Sequence, residues 1–89
     1  MPRVLFSSHI TRHVPVPDSD VDAATLREAL DAVFERHAAA RDYVLDEQGH
    51  LRQHVVIFID GARVRERASL NDPVAAAREI HVLQALTGG

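Results

Sequence analysis

The 89-residue sequence contains no cysteine and no lysine, and aromatic residues make up 4% of it. Without cysteine, the chain has no disulfide framework, no thiolate zinc site and no cysteine nucleophile. Without lysine, it offers no side-chain amine through which one copy could be acylated by another, and all 10 basic residues are arginine. The scarcity of aromatic residues predicts a core built from aliphatic side chains.

The sequence also lacks a long apolar run and a basic cluster. The longest apolar run, VVIFI at 55–59, is far too short to span a bilayer, and no signal-peptide pattern precedes it. We therefore expect a cytoplasmic protein with no membrane partner. The net charge of −3 is spread along the chain, which argues against a nucleic-acid partner. The length predicts one domain over residues 1–89.

The strongest secondary-structure signal lies just after residue 24. Thr25 is followed three residues later by Glu28, the spacing of a capping box at a helix N-terminus. Apolar residues then recur at helical spacing and predict one buried stripe: Leu26, Ala29, Leu30, Val33 and Phe34. The other face is charged, so we predict an amphipathic helix of about a dozen residues lying on an apolar surface. The segment from Ala38, AAARDY, either extends this helix or forms a separate turn.

Short extended segments precede this helix. RVLFSS at 3–8 has the length of a strand, and TRHVPVP at 11–17 contains two prolines, which are typical of an edge strand or a strand end. We expect these two segments to form a hairpin around Ser8 to Thr11.

Turn signals and two further strands follow the helix. VLDEQGHLRQ predicts a turn at Gln48-Gly49. VVIFI closes on Asp60-Gly61, a strong hairpin signal because both central positions of the preferred turn need positive φ, and ARVRER is the expected return arm. EIHVLQAL at 79–86 alternates and predicts a last strand inside the sheet.

This order of elements predicts an α+β fold, with a mixed sheet packed on one face by a single main helix. Ile80 and Val82 are expected to face the helix. His81 and Leu83 then lie on the uncovered face of the sheet, next to Leu5 of the first strand. Exposed apolar side chains on such a face indicate either a partner site or packing among themselves.

Four segments carry a family resemblance: VLF near the start, ATLREAL at the helix entry, RDYVLDEQGHLRQHVVIFIDG in the middle and VLQALTGG at the end. In this order they resemble the ubiquitin-like β-grasp sulfur carriers of the MoaD/ThiS kind. The middle segment is most similar to the longer members, including the molybdopterin synthase small subunit and the carrier of a cysteine biosynthesis route. The resemblance implies a ubiquitin-like β-grasp fold and the role of a protein co-substrate, which is not itself an enzyme.

The resemblance also implies a chemistry for the last residue. An E1-like enzyme would adenylate the carboxylate of Gly89 with ATP, and the acyl-adenylate would become a thiocarboxylate. The sulfur would then pass to a biosynthetic enzyme of the molybdopterin, cysteine or thiamine type. On this hypothesis the chain itself binds no cofactor.

The sequence closes on Gly88-Gly89, which we interpret as the tip of a flexible tail over residues 86–89 that carries a free carboxylate. Such a tip suits a narrow channel leading to a nucleotide, because glycine has no side chain to obstruct it. The resemblance implies that partner enzymes bind the tail and the uncovered sheet face. The predicted partner-binding residues are Leu5, His81, Leu83, Ala85, Leu86 and Thr87.

Two alternative functions stay open at this point. The same activated carboxylate could be joined to lysines of target proteins by a ubiquitin-like modifier. The chain could also be a β-grasp interaction module whose tail is inert.

Candidate metal ligands form incomplete sets. Two histidine pairs have a spacing of four residues, but neither has a plausible third ligand, and we predict no metal site. The pairs are His9 with His13 and His50 with His54. Asp18, Asp20 and Asp22 lack the glycine and glutamate of a calcium loop, and predict a solvated acidic loop ahead of the helix.

Overall fold

The computed structural model describes residues 1–85 and shows an α+β architecture built on a five-stranded mixed sheet. The strands are β1 (Arg3–Phe6), β2 (Ser19–Asp20), β3 (Val55–Ile59), β4 (Ala62–Arg63) and β5 (Glu79–Gln84). The helices are α1 (Ser8–His13), α2 (Leu26–Phe34) and α3 (Ala38–Val44). The predicted tail, residues 86–89, lies outside the described residues.

Strand β5 occupies the centre of the sheet. The strand order is β2-β1-β5-β3-β4, with β5 parallel to β1 and antiparallel to β3. The last strand therefore lies inside the sheet, as predicted from its apolar residues. The predicted α+β fold with a mixed sheet is confirmed.

Helix α2 begins at the predicted capping box. The Thr25 hydroxyl accepts a hydrogen bond from the Glu28 N–H at 3.3 Å, and the Glu28 carboxylate accepts one from the Ala24 N–H at 2.9 Å. The whole predicted apolar stripe is buried, and it shares one core with the inner face of the sheet. Phe34 contacts Phe6 of β1 with ring centroids 6.4 Å apart. The helix spans 9 residues and is shorter than predicted.

The predicted hairpin around Ser8 to Thr11 is wrong, because Ser8–His13 forms α1. This helix has no side-chain cap, and its one buried residue, Ile10, anchors it where α1 packs on β5. β1 pairs instead with the short edge strand β2 at Ser19–Asp20. A single buried residue leaves no apolar periodicity, so the helix depends on contacts that lie far away in sequence.

The two predicted turns are present. Gly49 has a φ of +80°, and the carboxylate of Asp46 accepts hydrogen bonds from the N–H groups of Gln48 and His50 at 2.9 and 3.0 Å. These backbone donors, first that of His50, hold the pKa of Asp46 below its usual value. AAARDY belongs to a separate helix, α3, and does not extend α2.

The Asp60-Gly61 hairpin has the predicted geometry, with φ values of +47° and +86°. The return arm is regular only over the two residues of β4. The Asp60 carboxylate also accepts hydrogen bonds from the N–H groups of Arg78 and Glu79 at 3.0 and 2.8 Å. The turn thus also secures the start of β5. Within residues 1–85, no helix is long and apolar enough to cross a membrane.

Candidate functional site

The two faces of β5 differ in how much of them is covered. Ile80 and Val82 are fully buried against the helical layer, whereas His81 and Leu83 are half-buried on the other face. Alternation along a strand places successive side chains on opposite faces. The predicted orientation of this strand is therefore confirmed, while the partner-binding role of its residues stays a prediction.

Neighbouring strands add three apolar side chains to the uncovered face. Leu5 of β1 pairs with His81, as predicted, and Phe58 of β3 pairs with His81 from the other side. Val56 of β3 pairs with Leu83. Paired residues share a face. Leu5, Val56, Phe58, His81 and Leu83 thus form one surface, called here the open-face cluster.

Val56 and Phe58 were not predicted as site residues. The run VVIFI predicts a strand that ends in an Asp-Gly turn, and in the structure its burial alternates, with Val55 and Ile57 fully buried. A signal was available, because a five-residue strand without any polar residue must place apolar side chains on both faces of its sheet. One of those faces had no helix predicted to cover it.

Charged residues lie at the other end of the open face. Glu79 of β5 lies opposite Arg3 of β1 in the strand register, and the Glu79 carboxylate lies 3.0 Å from Nε2 of His81. Arg3 donates to Asp20 at 3.0 Å, and this hydrogen bond is the main reason that the pKa of Asp20 is lowered. The apolar part of the open face therefore lies towards the carboxyl end of β5, with a polar border behind it. An apolar centre with a polar rim is typical of a protein interface.

The chain leaves the sheet at a site with several specific contacts. The Ala85 N–H donates to the carbonyl oxygen of His54 at 2.7 Å, and the Tyr43 hydroxyl donates to Oε1 of Gln84 at 2.6 Å. The predicted residue Ala85 is half-buried here, one residue beyond β5. Tyr43 and His54 were missed in the sequence, since nothing in their local pattern relates them to residues 84–85.

The remaining predicted site residues, Leu86, Thr87, Gly88 and Gly89, lie outside the described residues. The structure thus brings Leu5, His81 and Leu83 together on one face and places Ala85 at the end of the same strand.

Several of the histidines and aspartates considered as metal ligands have other contacts. Over residues 1–85, no group of three or more histidine, aspartate or glutamate side chains is arranged to hold a metal ion. The rings of His13 and His54 contact the ring of Tyr43, and Asp20 is paired with Arg3.

A mixed sheet that holds one main helix, with its last strand in the centre and an uncovered apolar face, defines a ubiquitin-like β-grasp protein. The ThiS family model matches residues 12–89, and the chain belongs to this family. The predicted family and the predicted β-grasp fold are both confirmed.

Individual relatives agree with this assignment. The small archaeal modifier protein 1 of Haloferax volcanii is 34% identical over 71 residues, which cover 79% of this chain and 77% of the relative. The crystal structure of that organism's small archaeal modifier protein 1 covers 98% of this chain and 97% of its own, with a TM-score of 0.75 at 23% identity. One chain in the crystal structure of the Amycolatopsis orientalis BexX/CysO complex covers 100% of this chain and 100% of its own, with a TM-score of 0.80 at 22% identity. The chain therefore belongs to a family of small ubiquitin-like modifiers and carriers.

Proposed function

We propose that this protein is a sulfur carrier whose Gly89 carboxylate is adenylated by an E1-like enzyme and then converted to a thiocarboxylate. The observation that carries this proposal is the ThiS family match, which runs through Gly88 and Gly89. On this proposal the chain is a co-substrate, and the catalytic groups belong to its partners. The sulfur acceptor is a cytoplasmic biosynthetic enzyme of the molybdopterin, cysteine or thiamine type.

The proposed chemistry has two steps. A carboxylate oxygen of Gly89 attacks the α-phosphorus of ATP and expels pyrophosphate, which leaves an acyl-adenylate. A sulfide then attacks the carbonyl carbon and expels AMP, so that one carboxylate oxygen leaves with AMP and sulfur takes its place. Activation is needed because a free carboxylate is a poor electrophile, and AMP is a far better leaving group than oxide.

The fold supports one surface for the docking of partner enzymes and a separate point for the delivery of the tail. The open-face cluster supplies an apolar surface on which partner enzymes can dock, and its central strand is the one that leads to the tail. Both functions lie on β5, so a partner bound to the open face stands next to the point where the chain leaves the sheet. CysO, a structural neighbour, was itself solved in a complex with a second protein.

A second candidate function is protein modification, and the 34% identity to small archaeal modifier protein 1 favours it. Activation of Gly89 would be the same, but the amine of a target lysine would attack the carbonyl carbon and form an isopeptide bond. The target must be another protein, because this chain has no lysine.

The first test uses the purified protein, the E1-like adenylating enzyme of the same organism, ATP and sulfide. Replacement of one oxygen by sulfur adds about 16 Da to the intact mass, and alkylation separates a thiocarboxylate from an oxidised methionine. Wild-type protein should acquire an alkylatable sulfur, and a variant lacking Gly89 should not. Equal labelling of the two proteins, or no labelling of either, would rule out the proposed sulfur-carrier function.

The second test separates the two candidate functions in cells. Tagged protein is recovered from its source organism and analysed by mass spectrometry without added thiols. A carrier should be found as a free thiocarboxylate. A modifier should be found joined to lysines of other proteins, and trypsin should leave residues 79–89 on those lysines, because Arg78 is the last basic residue of the chain.

A further inference from the structure

Three separate parts of the chain meet at the last residues of β5. Tyr43 of α3 donates its hydroxyl to Oε1 of Gln84 at 2.6 Å, although 41 residues separate them in sequence. His54, which immediately precedes β3, accepts the Ala85 N–H through its carbonyl oxygen at 2.7 Å. Both contacts act on the final residues before the proposed reactive tail.

The ring of Tyr43 is itself held on two sides. His13, the last residue of α1, stacks on it with centroids 5.5 Å apart and an interplanar angle of 19°. His54 meets it edge-on, with centroids 5.2 Å apart and an angle of 79°. Tyr43 is also partly buried against the core. These contacts restrict the ring to one orientation, so its hydroxyl is aimed at Gln84 before any partner binds.

We propose that Tyr43 is a positioning residue, whose hydroxyl holds Gln84 and thereby fixes the direction in which the chain leaves the sheet. His13 and His54 hold the Tyr43 ring, and the His54 carbonyl holds the next residue, Ala85. This inference rests on the proposed function, because a fixed exit direction matters only if the chain beyond residue 85 must be delivered to a partner.

The physical advantage is a smaller loss of conformational entropy on binding. An enzyme that receives the tail must order whatever part of it is not already ordered, and this ordering opposes association. With Gln84 and Ala85 already held by hydrogen bonds, the enzyme has less chain to order. One hydrogen bond between uncharged groups corresponds to about a three- to tenfold change in an equilibrium constant.

The test measures adenylation kinetics of Tyr43→Phe, Gln84→Met and the double variant with the organism's E1-like enzyme and ATP. Each single variant should raise KM for the carrier about three- to tenfold and change kcat by less than about twofold, since the interaction acts before the chemical step. The double variant should be no worse than either single variant, because both remove the same hydrogen bond. Arg27→Met is the matched control, since it also removes one side-chain hydrogen bond, from Arg27 to the carbonyl oxygen of Ala68 at 2.8 Å, but on helix α2, which covers the opposite face of the sheet. It should leave both constants unchanged.

A second measurement separates this proposal from the proposed function. Backbone ¹⁵N heteronuclear NOE values of Gln84 and Ala85 should fall in Tyr43→Phe and stay at wild-type values in Arg27→Met. Unchanged NOE values would overturn the positioning role, as would an unchanged KM for a carrier that is adenylated. If wild-type protein is not adenylated, the proposed function fails, and the NOE values still decide whether Tyr43 orders the end of β5. A loss of global stability alone would lower the melting temperature without raising KM.

Discussion

Replacing Leu83 by aspartate tests whether the open-face cluster binds the adenylating enzyme. Leu83 is half-buried on the central strand and pairs with Val56, so it lies within the cluster and not at its polar border. Its neighbours Val82 and Ile57 on the inner face are fully buried and are not touched by the change. We therefore expect the variant to fold.

The expected loss of affinity has two parts. The apolar contact of the leucine disappears, and the new carboxylate must be desolvated between apolar side chains with no cation beside it. The nearest carboxylate on this face is that of Glu79, four residues back along β5, and a second negative charge on the same face adds repulsion. Truncation of a hot-spot residue near the centre of an interface weakens binding by about 2 kcal/mol or more, and we expect a loss of this size, at least about thirtyfold in Kd.

The assay is isothermal titration of the E1-like enzyme with wild-type protein and with Leu83→Asp. Ala75→Asp adds the same charge to an exposed loop and is the matched control, which should bind like wild type. A ¹H-¹⁵N correlation spectrum confirms that each variant is folded. A folded Leu83→Asp variant with wild-type affinity would refute the assignment of the interface to the open face.

Three further predictions concern the core, a turn and the tail. Leu30→Ala should lower the free energy of unfolding by about 2 to 5 kcal/mol, since Leu30 is fully buried, and a loss below about 1 kcal/mol in urea titration would show that it is not packed as described. Asp46→Ala should destabilise the protein more at about pH 6 than at about pH 3. The pKa of Asp46 is lower in the folded state than its value of about 4 in the unfolded chain, so its carboxylate stabilises the fold above about pH 4, and this contribution is lost as pH falls through the folded-state pKa. An equal effect at both pH values would contradict this assignment. Gly88→Val should strongly reduce pyrophosphate release with the adenylating enzyme and ATP, by obstructing the tail channel, and should leave the melting temperature unchanged. A wild-type rate would refute the proposed channel.

Elements whose causes lie close together in sequence could be predicted. The Thr25 cap and the stripe after it lie within ten residues, and α2 forms where they indicate. The turn at Asp60-Gly61 depends on the φ values of two adjacent residues. In both cases the residues that produce the structure are the residues that show the pattern.

Helix α1 shows where this reasoning fails. The prolines at 15 and 17 indicated an edge strand directly after β1, and a hairpin was the simplest connection. The chain instead forms six residues of helix, stabilised by Ile10 buried against β5. Because β5 begins at residue 79, local sequence contains no information about this contact.

The candidate site also has one part that the sequence could predict and one part that it could not. The alternation of Ile80, His81, Val82 and Leu83 determined by itself that this strand has one buried face and one open face, and the family resemblance indicated what the open face and the glycines are for. Only the tertiary structure placed Val56 and Phe58 beside Leu83, because strand register is a relation between segments that no single segment encodes. The contact between Tyr43 and Gln84 was decided in the same way. It joins residues 41 apart through a side-chain hydrogen bond whose partners come within reach only once α3 and β5 are packed against a common core.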